Sequence, residues 1–309
     1  MKKKKLIIFM PSIEGGGVEK NLYIISNYLV NKISDISLIS VTKSAKPRFN
    51  KKIKFISPQS YFWEHVNKKI KYIICLYLLL LKIFFDRNFV IFCFQANIYC
   101  TLLCKLFGIK IIIRSNSSPS GWSKNFIKKI LFQNLLNLAD MIIVNSVDFK
   151  NELKKKFNLK SVCIYNPLNK NEIVFKSKKK NKIVFKKDNV LKIINVARFT
   201  DQKDHITLLR AANILKEKID FELIIVGRGV NRNIMENYIG KNNLKNFVKI
   251  IKFNDNPYPL INQADLFVLT STFEGLPNVL LESLTLKKFV ISSNCPTGPR
   301  EILDKGKNG

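Results

Sequence analysis

Asp265-Leu-Phe-Val-Leu-Thr270 runs directly into Ser271-Thr-Phe-Glu274-Gly275-Leu276-Pro277-Asn-Val-Leu-Leu-Glu282. The first six residues are an apolar run of strand length, and Pro277 suits the first turn of a helix. Glu274 is therefore expected in a loop at the carboxyl end of a strand, with Glu282 inside the following helix. In open α/β sheets that edge is where ligands bind. An exposed loop glutamate and a solvated helix glutamate are the plainer reading of any such pair; their placement argues against it.

Outward from this junction, short β-rich runs alternate with helical patterns over the whole chain. Strands are expected over 5–10, 36–41, 53–57, 89–94, 109–114, 140–145 and 161–165, with helices over 18–31, 66–85, 97–106, 123–138 and 147–157 between them. After Asn166-Pro167 the texture changes to a Lys/Asn-rich passage, 169–189, which reads as a linker and ragged domain edge. A second series then gives strands at 191–196, 221–226, 248–253, 266–270 and 289–292, and helices at 205–218 and 233–241. Such alternation implies parallel sheets covered on both faces. The fold class is α/β, with two Rossmann-like doubly wound domains, 1–168 and 169–309.

At 309 residues, 47% of them hydrophobic, the chain can fill two cores. Its six cysteines are scattered without a C-x-x-C pair, which fits reduced thiols in a cytoplasmic protein better than a disulfide framework or a zinc site. The net charge of +31 is uneven: residues 1–190 carry 36 basic and 10 acidic side chains, residues 191–309 carry 17 and 12. Only eight of the 53 basic residues are Arg, the usual fork for bases and phosphates, so sequence-specific nucleic-acid binding is disfavoured. A cationic first half is suited to an anionic membrane face or to diphosphate-bearing lipids; solvated lysines without a partner are the alternative.

Lys2 to Lys5 precede the apolar run Leu6-Ile-Ile-Phe-Met10, but no small-residue cleavage site follows, so a buried first strand with a glycine turn is expected. The longest uncharged stretch of the 70–85 segment, Tyr72 to Leu81, is about half of what a bilayer-spanning helix needs. An interfacial or core helix is the remaining reading.

Ordered motifs from Gly15 to the last residue carry a resemblance to the retaining glycosyltransferases of the large group-one family (family four), whose GT-B fold sets two Rossmann-like domains facing across a cleft. Glu14-Gly15-Gly16-Gly17-Val18-Glu19, after the first strand, resembles the family's glycine turn, where free N–H groups at a helix start favour an anion. Val196-Ala-Arg198-Phe-Thr-Asp-Gln-Lys203-Asp-His205 resembles the segment whose Arg and Lys clamp the donor diphosphate, with Ala197 and Asp204 where glycines are common. Two fixed cations there can stabilise a leaving nucleoside diphosphate without a metal. Ile225-Val-Gly227-Arg-Gly229 matches a glycine turn after a strand, and Phe253 and Asn254 lie where related enzymes hold the base. The opening stretch matches the family's paired glutamates: Glu274 beside the donor sugar, Glu282 on the ribose hydroxyls, and Gly275, Leu276 and Pro277 meeting sugar and diphosphate with their backbone. Cys295-Pro-Thr-Gly298-Pro-Arg300-Glu301 resembles a segment frequent in polysaccharide-building members; a simple loop and helix cap is the alternative.

The sequence departs from the family at two places. Ile113-Arg114-Ser115-Asn116-Ser117 stands where many members carry a sugar-facing His, so Arg114 or Asn116 is expected on the acceptor side. On family precedent, about fifty residues are missing after Gly309. No D-x-D occurs, and the histidines are His65 and His205 alone. The resemblance implies a metal-independent, retaining hexosyl- or N-acetylhexosaminyltransferase needing no cofactor. Its donor is expected to be a nucleoside-diphosphate sugar, most simply UDP-linked, and its acceptor a lipid-linked molecule or a cell-surface polysaccharide or lipopolysaccharide. The implied location is cytoplasmic, peripheral on the inner face of the cell membrane. The alternatives are a non-catalytic remnant of such an enzyme, a basic membrane- or nucleic-acid-binding protein, and a sugar-nucleotide epimerase of similar fold.

Overall fold

The computed structural model describes residues 5–116, 126–180 and 183–309, with residues 126–129 described by backbone alone. It divides into two compact units, Met1–Pro167 and Leu168–Gly309.

The first unit follows the expected alternation: β1 (Lys5–Phe9), α1 (Gly17–Leu29), β2 (Asp35–Ile39), β3 (Lys54–Ile56), α2 (Lys68–Phe85), β4 (Val90–Cys93), α3 (Asn97–Leu106), β5 (Lys110–Arg114), α4 (Phe126–Asn137), β6 (Met141–Val144), α5 (Val147–Phe157) and β7 (Val162–Cys163). Of the helix expected over 123–138, positions 123–125 lie outside the described residues. The seven strands form one parallel sheet in the order β3-β2-β1-β4-β5-β6-β7. Strand side chains alternate between faces, so β1 divides its apolar residues between two cores. Ile7 and Phe9 pack with α2, α3 and α5, while Leu6 and Ile8 pack with α1. This is why a central parallel strand reads as an unbroken apolar run.

The second unit contains α6 (Lys170–Ser177), β8 (Leu191–Val196), α7 (His205–Leu215), β9 (Phe221–Gly227), α8 (Arg232–Lys241), β10 (Val248–Lys252), α9 (Tyr258–Gln263), β11 (Leu266–Leu269), α10 (Asn278–Thr285), β12 (Phe289–Ser292) and α11 (Pro299–Ile302). Its parallel sheet runs β10-β9-β8-β11-β12, and every residue of β9 is buried. Ile193, Leu223 and Ile225 face one core, Ile194, Ile224 and Val226 the other. One expectation is corrected here. Part of the supposed linker is the helix α6, whose Ile173 is buried in the second unit's core with Phe185. Asn169 starts it, its Oδ1 accepting from the Glu172 N–H (3.1 Å) while its Nδ2 donates to Glu172 Oε2 (3.1 Å).

In both sheets the chain leaves a central strand in one direction, then returns and continues in the other, first at β1/β4 and again at β8/β11. The loops on either side of such a switch point diverge and leave room for a ligand at the carboxyl ends of the strands.

Candidate functional site

The loops after β8 and β11 flank the second unit's switch point. The β8 loop is held first by β9. Ala197 N donates to Val226 O (3.1 Å), Phe199 N to Arg228 O (2.8 Å), and Asn231 N to Phe199 O (3.2 Å). Phe199 is wholly buried, and between these anchors Arg198 stands exposed. Gly227 and Gly229 make the arrangement sterically possible: a Cβ at Gly227 would lie 1.9 Å from Ala197 O, and one at Gly229 2.2 Å from Phe199 O. The two glycines therefore seat the arginine-bearing loop.

A short 3-10 turn, Asp201–Lys203, then leads to Asp204 at φ 41°, ψ 56°, the left-handed region in which glycine is favoured. Aspartate tolerates it and caps α7, Oδ1 accepting from Thr207 N (3.2 Å) and Oδ2 from Thr207 Oγ1 (2.7 Å). The departure from glycine at this position thus replaces a free turn with a capped one.

The β8 and β11 loops are bonded to each other. Thr270 Oγ1 lies 3.0 Å from Lys203 O and 2.9 Å from Asp204 O, Thr272 N donates to Gln202 O (2.8 Å), and Gln202 Nε2 donates to Phe273 O (2.8 Å). These contacts bring Lys203 Nζ onto Glu274 Oε1 in an ion pair, where the same oxygen accepts from Ser271 Oγ at 2.6 Å. The paired side chains retain 13% and 8% of their exposure, so the carboxylate is held inside the protein by one cation and one hydroxyl.

From the other side the segment 293–298 closes on the glutamate loop. Ser293 Oγ donates to Ser271 O (2.5 Å), Glu274 N to Pro296 O (2.7 Å), and Thr297 Oγ1 lies 3.2 Å from both Glu274 O and Gly275 O. Gly298, at φ 89°, packs so closely that a Cβ there would sit 2.1 Å from Gly275 O. The Cys295–Glu301 motif is thus more than a loop and cap: it fixes the backbone of Glu274 and Gly275. Gly275, Leu276 and Pro277 are buried, and Pro277 caps α10 rather than entering its first turn. Glu282 projects from α10 and is 2% exposed. Phe253 and Asn254 follow β10, with the Arg228 guanidinium 4.5 Å over the Phe253 ring. Ser271, Arg228 and Thr297 were not singled out from sequence, because their partners are set by loop packing between separate strands.

His205 opens α7 buried, its ring edge-on to Phe199 at 5.2 Å, and neither nitrogen has a hydrogen-bond partner among the described residues. Burial first, then the charge of Lys203, pushes its pKa down from 6.5 to about 4, with Asp204 opposing. Between those values the unfolded chain binds more protons than the folded one, so stability is complete above pH 6.5 and lost as the pH falls toward 4. The loss is expected to reach about 3 kcal/mol. Urea unfolding of His205→Phe above pH 5 should show a flatter pH dependence than the parent chain; an unchanged slope would assign it to other groups.

The remaining expected residues belong to the first unit. Gly15 (φ 87°) and Gly16 lead into α1, which begins at Gly17. Glu14 beside them accepts from Ser12 Oγ (2.6 Å), which holds its carboxyl below the usual range, with help from Lys71 at 3.6 Å. Arg114 is 1% exposed, donating through Nη2 to Ile164 O (3.1 Å) and Asn166 Oδ1 (2.9 Å), and burial lowers its pKa to about 10. Asn116 Nδ2 donates to Arg114 O (3.3 Å). In this structure Arg114 ties β5 to the end of the first unit, and Ser117 lies outside the described residues.

Residues 176–309, which contain all of the second unit's site, match the family model described as glycosyl transferases group 1. The chain is 34% identical over 217 residues to an uncharacterized glycosyltransferase of Methanocaldococcus jannaschii, covering 65% of this chain and 53% of the relative. It is 30% identical over 221 residues to the N-acetylgalactosamine-N,N'-diacetylbacillosaminyl-diphospho-undecaprenol 4-alpha-N-acetylgalactosaminyltransferase of Campylobacter jejuni, covering 68% of this chain and 59% of the relative. These matches thus span little more than half of each relative's length. Among solved structures, Anabaena HepE, determined in complex with UDP and glucose, superposes with a TM-score of 0.70 at 16% identity, covering 95% of this chain and 81% of that one. The fold is that of glycosyltransferases built from two Rossmann-like units.

Proposed function

We propose that the chain is a metal-independent, retaining glycosyltransferase that moves a hexose or N-acetylhexosamine from a UDP-sugar to a lipid-linked or cell-surface polysaccharide acceptor at the inner face of the membrane. The observation that carries this reading is the pairing of Lys203 with buried Glu274 across the switch point of the second sheet. A diphosphate entering there meets Arg198 and Lys203 together. As Lys203 turns to the phosphate, Glu274 is left a hydroxyl acceptor for the donor sugar, still oriented by Ser271. Glu282 accepts from the ribose hydroxyls, the backbone of Gly275 to Pro277 meets sugar and diphosphate, and Phe253 and Asn254 flank the base. Within the first unit, the Gly15–Gly17 turn offers N–H groups to an anion and Asn116 borders the acceptor, while Arg114, buried against Ile164 and Asn166, holds that strand end in place.

Chemically, the bond between the anomeric carbon and the diphosphate oxygen breaks, and the acceptor oxygen bonds to that carbon from the same face. The departing phosphate takes the acceptor proton, and the two cations stabilise its charge as it develops. A protein general base is not required. The name of the Campylobacter jejuni relative supports a diphospho-lipid acceptor, and the HepE complex supports UDP. Labelled sugar should pass from a UDP-sugar to a membrane lipid extract at the same rate with and without EDTA, with its anomeric configuration retained by NMR. Loss of transfer in EDTA that added Mg²⁺ restores, or an inverted product, would contradict this reading.

A further inference from the structure

The strand ends of the second sheet present different chemistries in spatial order. From the switch point outward, β11 leads to Glu274, β8 to Arg198 and Lys203, β9 to Arg228, and β10 to Phe253. Neighbouring strands lie about 4.8 Å apart, so the four ends span roughly 14 Å, room for an extended nucleoside diphosphate. The register that pairs Lys252 with Gly227, continued by one residue, sets Phe253 beside Arg228. The guanidinium lies 4.5 Å over the phenyl ring, and both side chains are exposed. At an exposed position such a contact is weak, so the ring face can pass to a better occupant at little cost. The backbone beneath is fixed: Arg228 O accepts from Phe199 N (2.8 Å), and Gly227 and Gly229 pack against the loop that carries Arg198. A long side chain thus pivots from a fixed point between Arg198 and the ring.

Phe253 offers a flat face for stacking, and stacking tolerates every base because each has a π-face. The ring alone does not choose between them. Arg228 can, because a guanidinium has five N–H donors and no acceptor. It pairs with a base edge that presents a carbonyl oxygen and opposes one that presents an amino group. We infer that Arg228 is a specificity-determining residue of the donor site: as a base stacks on Phe253, the guanidinium swings from the ring face to the base edge and donates to the exocyclic carbonyl. Uracil and guanine carry that carbonyl; cytosine and adenine carry an amino group in its place. This deepens the proposed function and rests on its donor site.

Calorimetric titration of the full chain with UDP, CDP, GDP and ADP tests it. The parent binds UDP about tenfold more tightly than CDP, and GDP more tightly than ADP, the discrimination of one good side chain–base pairing. Arg228→Gln, whose amide both donates and accepts, brings the UDP/CDP ratio close to one. Arg228→Glu weakens all four nucleotides and inverts the ratio, because a carboxylate accepts from the cytosine amino group. Both variants change an exposed side chain and keep the parent's circular dichroism. The inference is overturned if the parent binds UDP and CDP equally, or if Arg228→Gln leaves both affinities unchanged, which would make the contact with Phe253 purely structural. Equal weakening of UDP and CDP in Arg228→Gln would assign the side chain to the phosphates and overturn it as well. A parent that binds none of the four sinks the transferase reading together with this one, whereas UDP bound at an unchanged ratio in both variants sinks this inference alone.

Discussion

Lys203→Met is expected to destabilise the second unit by about 3–5 kcal/mol and to abolish sugar transfer, because it leaves the Glu274 carboxylate buried with a single hydroxyl donor, Ser271. Lys203→Met/Glu274→Gln removes the charge along with its partner, so most of the stability should return while transfer stays absent. This combination separates the counter-ion role of Lys203 in the folded chain from its proposed role as a cation for the diphosphate. Both tryptophans, Trp63 and Trp122, lie in the first unit, so unfolding of the second must be followed by far-ultraviolet circular dichroism or calorimetry. A loss below about 1 kcal/mol for Lys203→Met would make the pair equivalent to a screened surface bridge and remove the structural part of the argument.

Gly298→Ala is the second large effect. The substitution places a Cβ 2.1 Å from Gly275 O and 3.0 Å from Leu276 Cα, at a φ of 89° that side-chain-bearing residues rarely adopt. Backbone strain and overpacking together amount to about 2–5 kcal/mol. The loop that must yield is the one carrying Glu274, so donor affinity should fall with stability. Gly306→Ala isolates the clash: it has a comparable φ of 96° and nothing within 4 Å of the added Cβ. It should show only the backbone penalty and leave donor binding unchanged. Equal losses in the two variants would mean that the 293–298 segment does not hold the glutamate loop.

The strands were legible in the sequence because each buried strand is a short apolar run bounded by turn residues, and the doubly wound order follows from strand–helix alternation. Helix α6 was missed because Lys170-Asn-Glu-Ile-Val-Phe-Lys-Ser177 has almost no apolar face; the capping pair Asn169 and Glu172 was the signal available. The paired glutamates, Arg198 and Lys203 were readable as motif residues. What could not be read was that Lys203 and Glu274, 71 positions apart, form a buried pair, since that depends on hydrogen bonds between two loop backbones. Arg114 illustrates the same limit: nothing in Ile111-Ile-Ile-Arg114 announces that its partners, Ile164 and Asn166, lie fifty residues on. The 70–85 segment was half legible, as an apolar run too short to span a membrane, but only burial shows which residues of α2 the core takes: Lys71, Cys75, Leu79 and Ile83.

Titration of the chain with UDP and with GDP, repeated on Glu282→Ala, tests the central claim most directly. The expected result is binding that favours UDP and weakens by about 1–3 kcal/mol when the buried carboxylate on α10 is removed, the loss of hydrogen bonds to a charged group. Unchanged UDP affinity in Glu282→Ala, or no nucleotide binding by the parent chain, would contradict a donor site at the β8/β11 switch point.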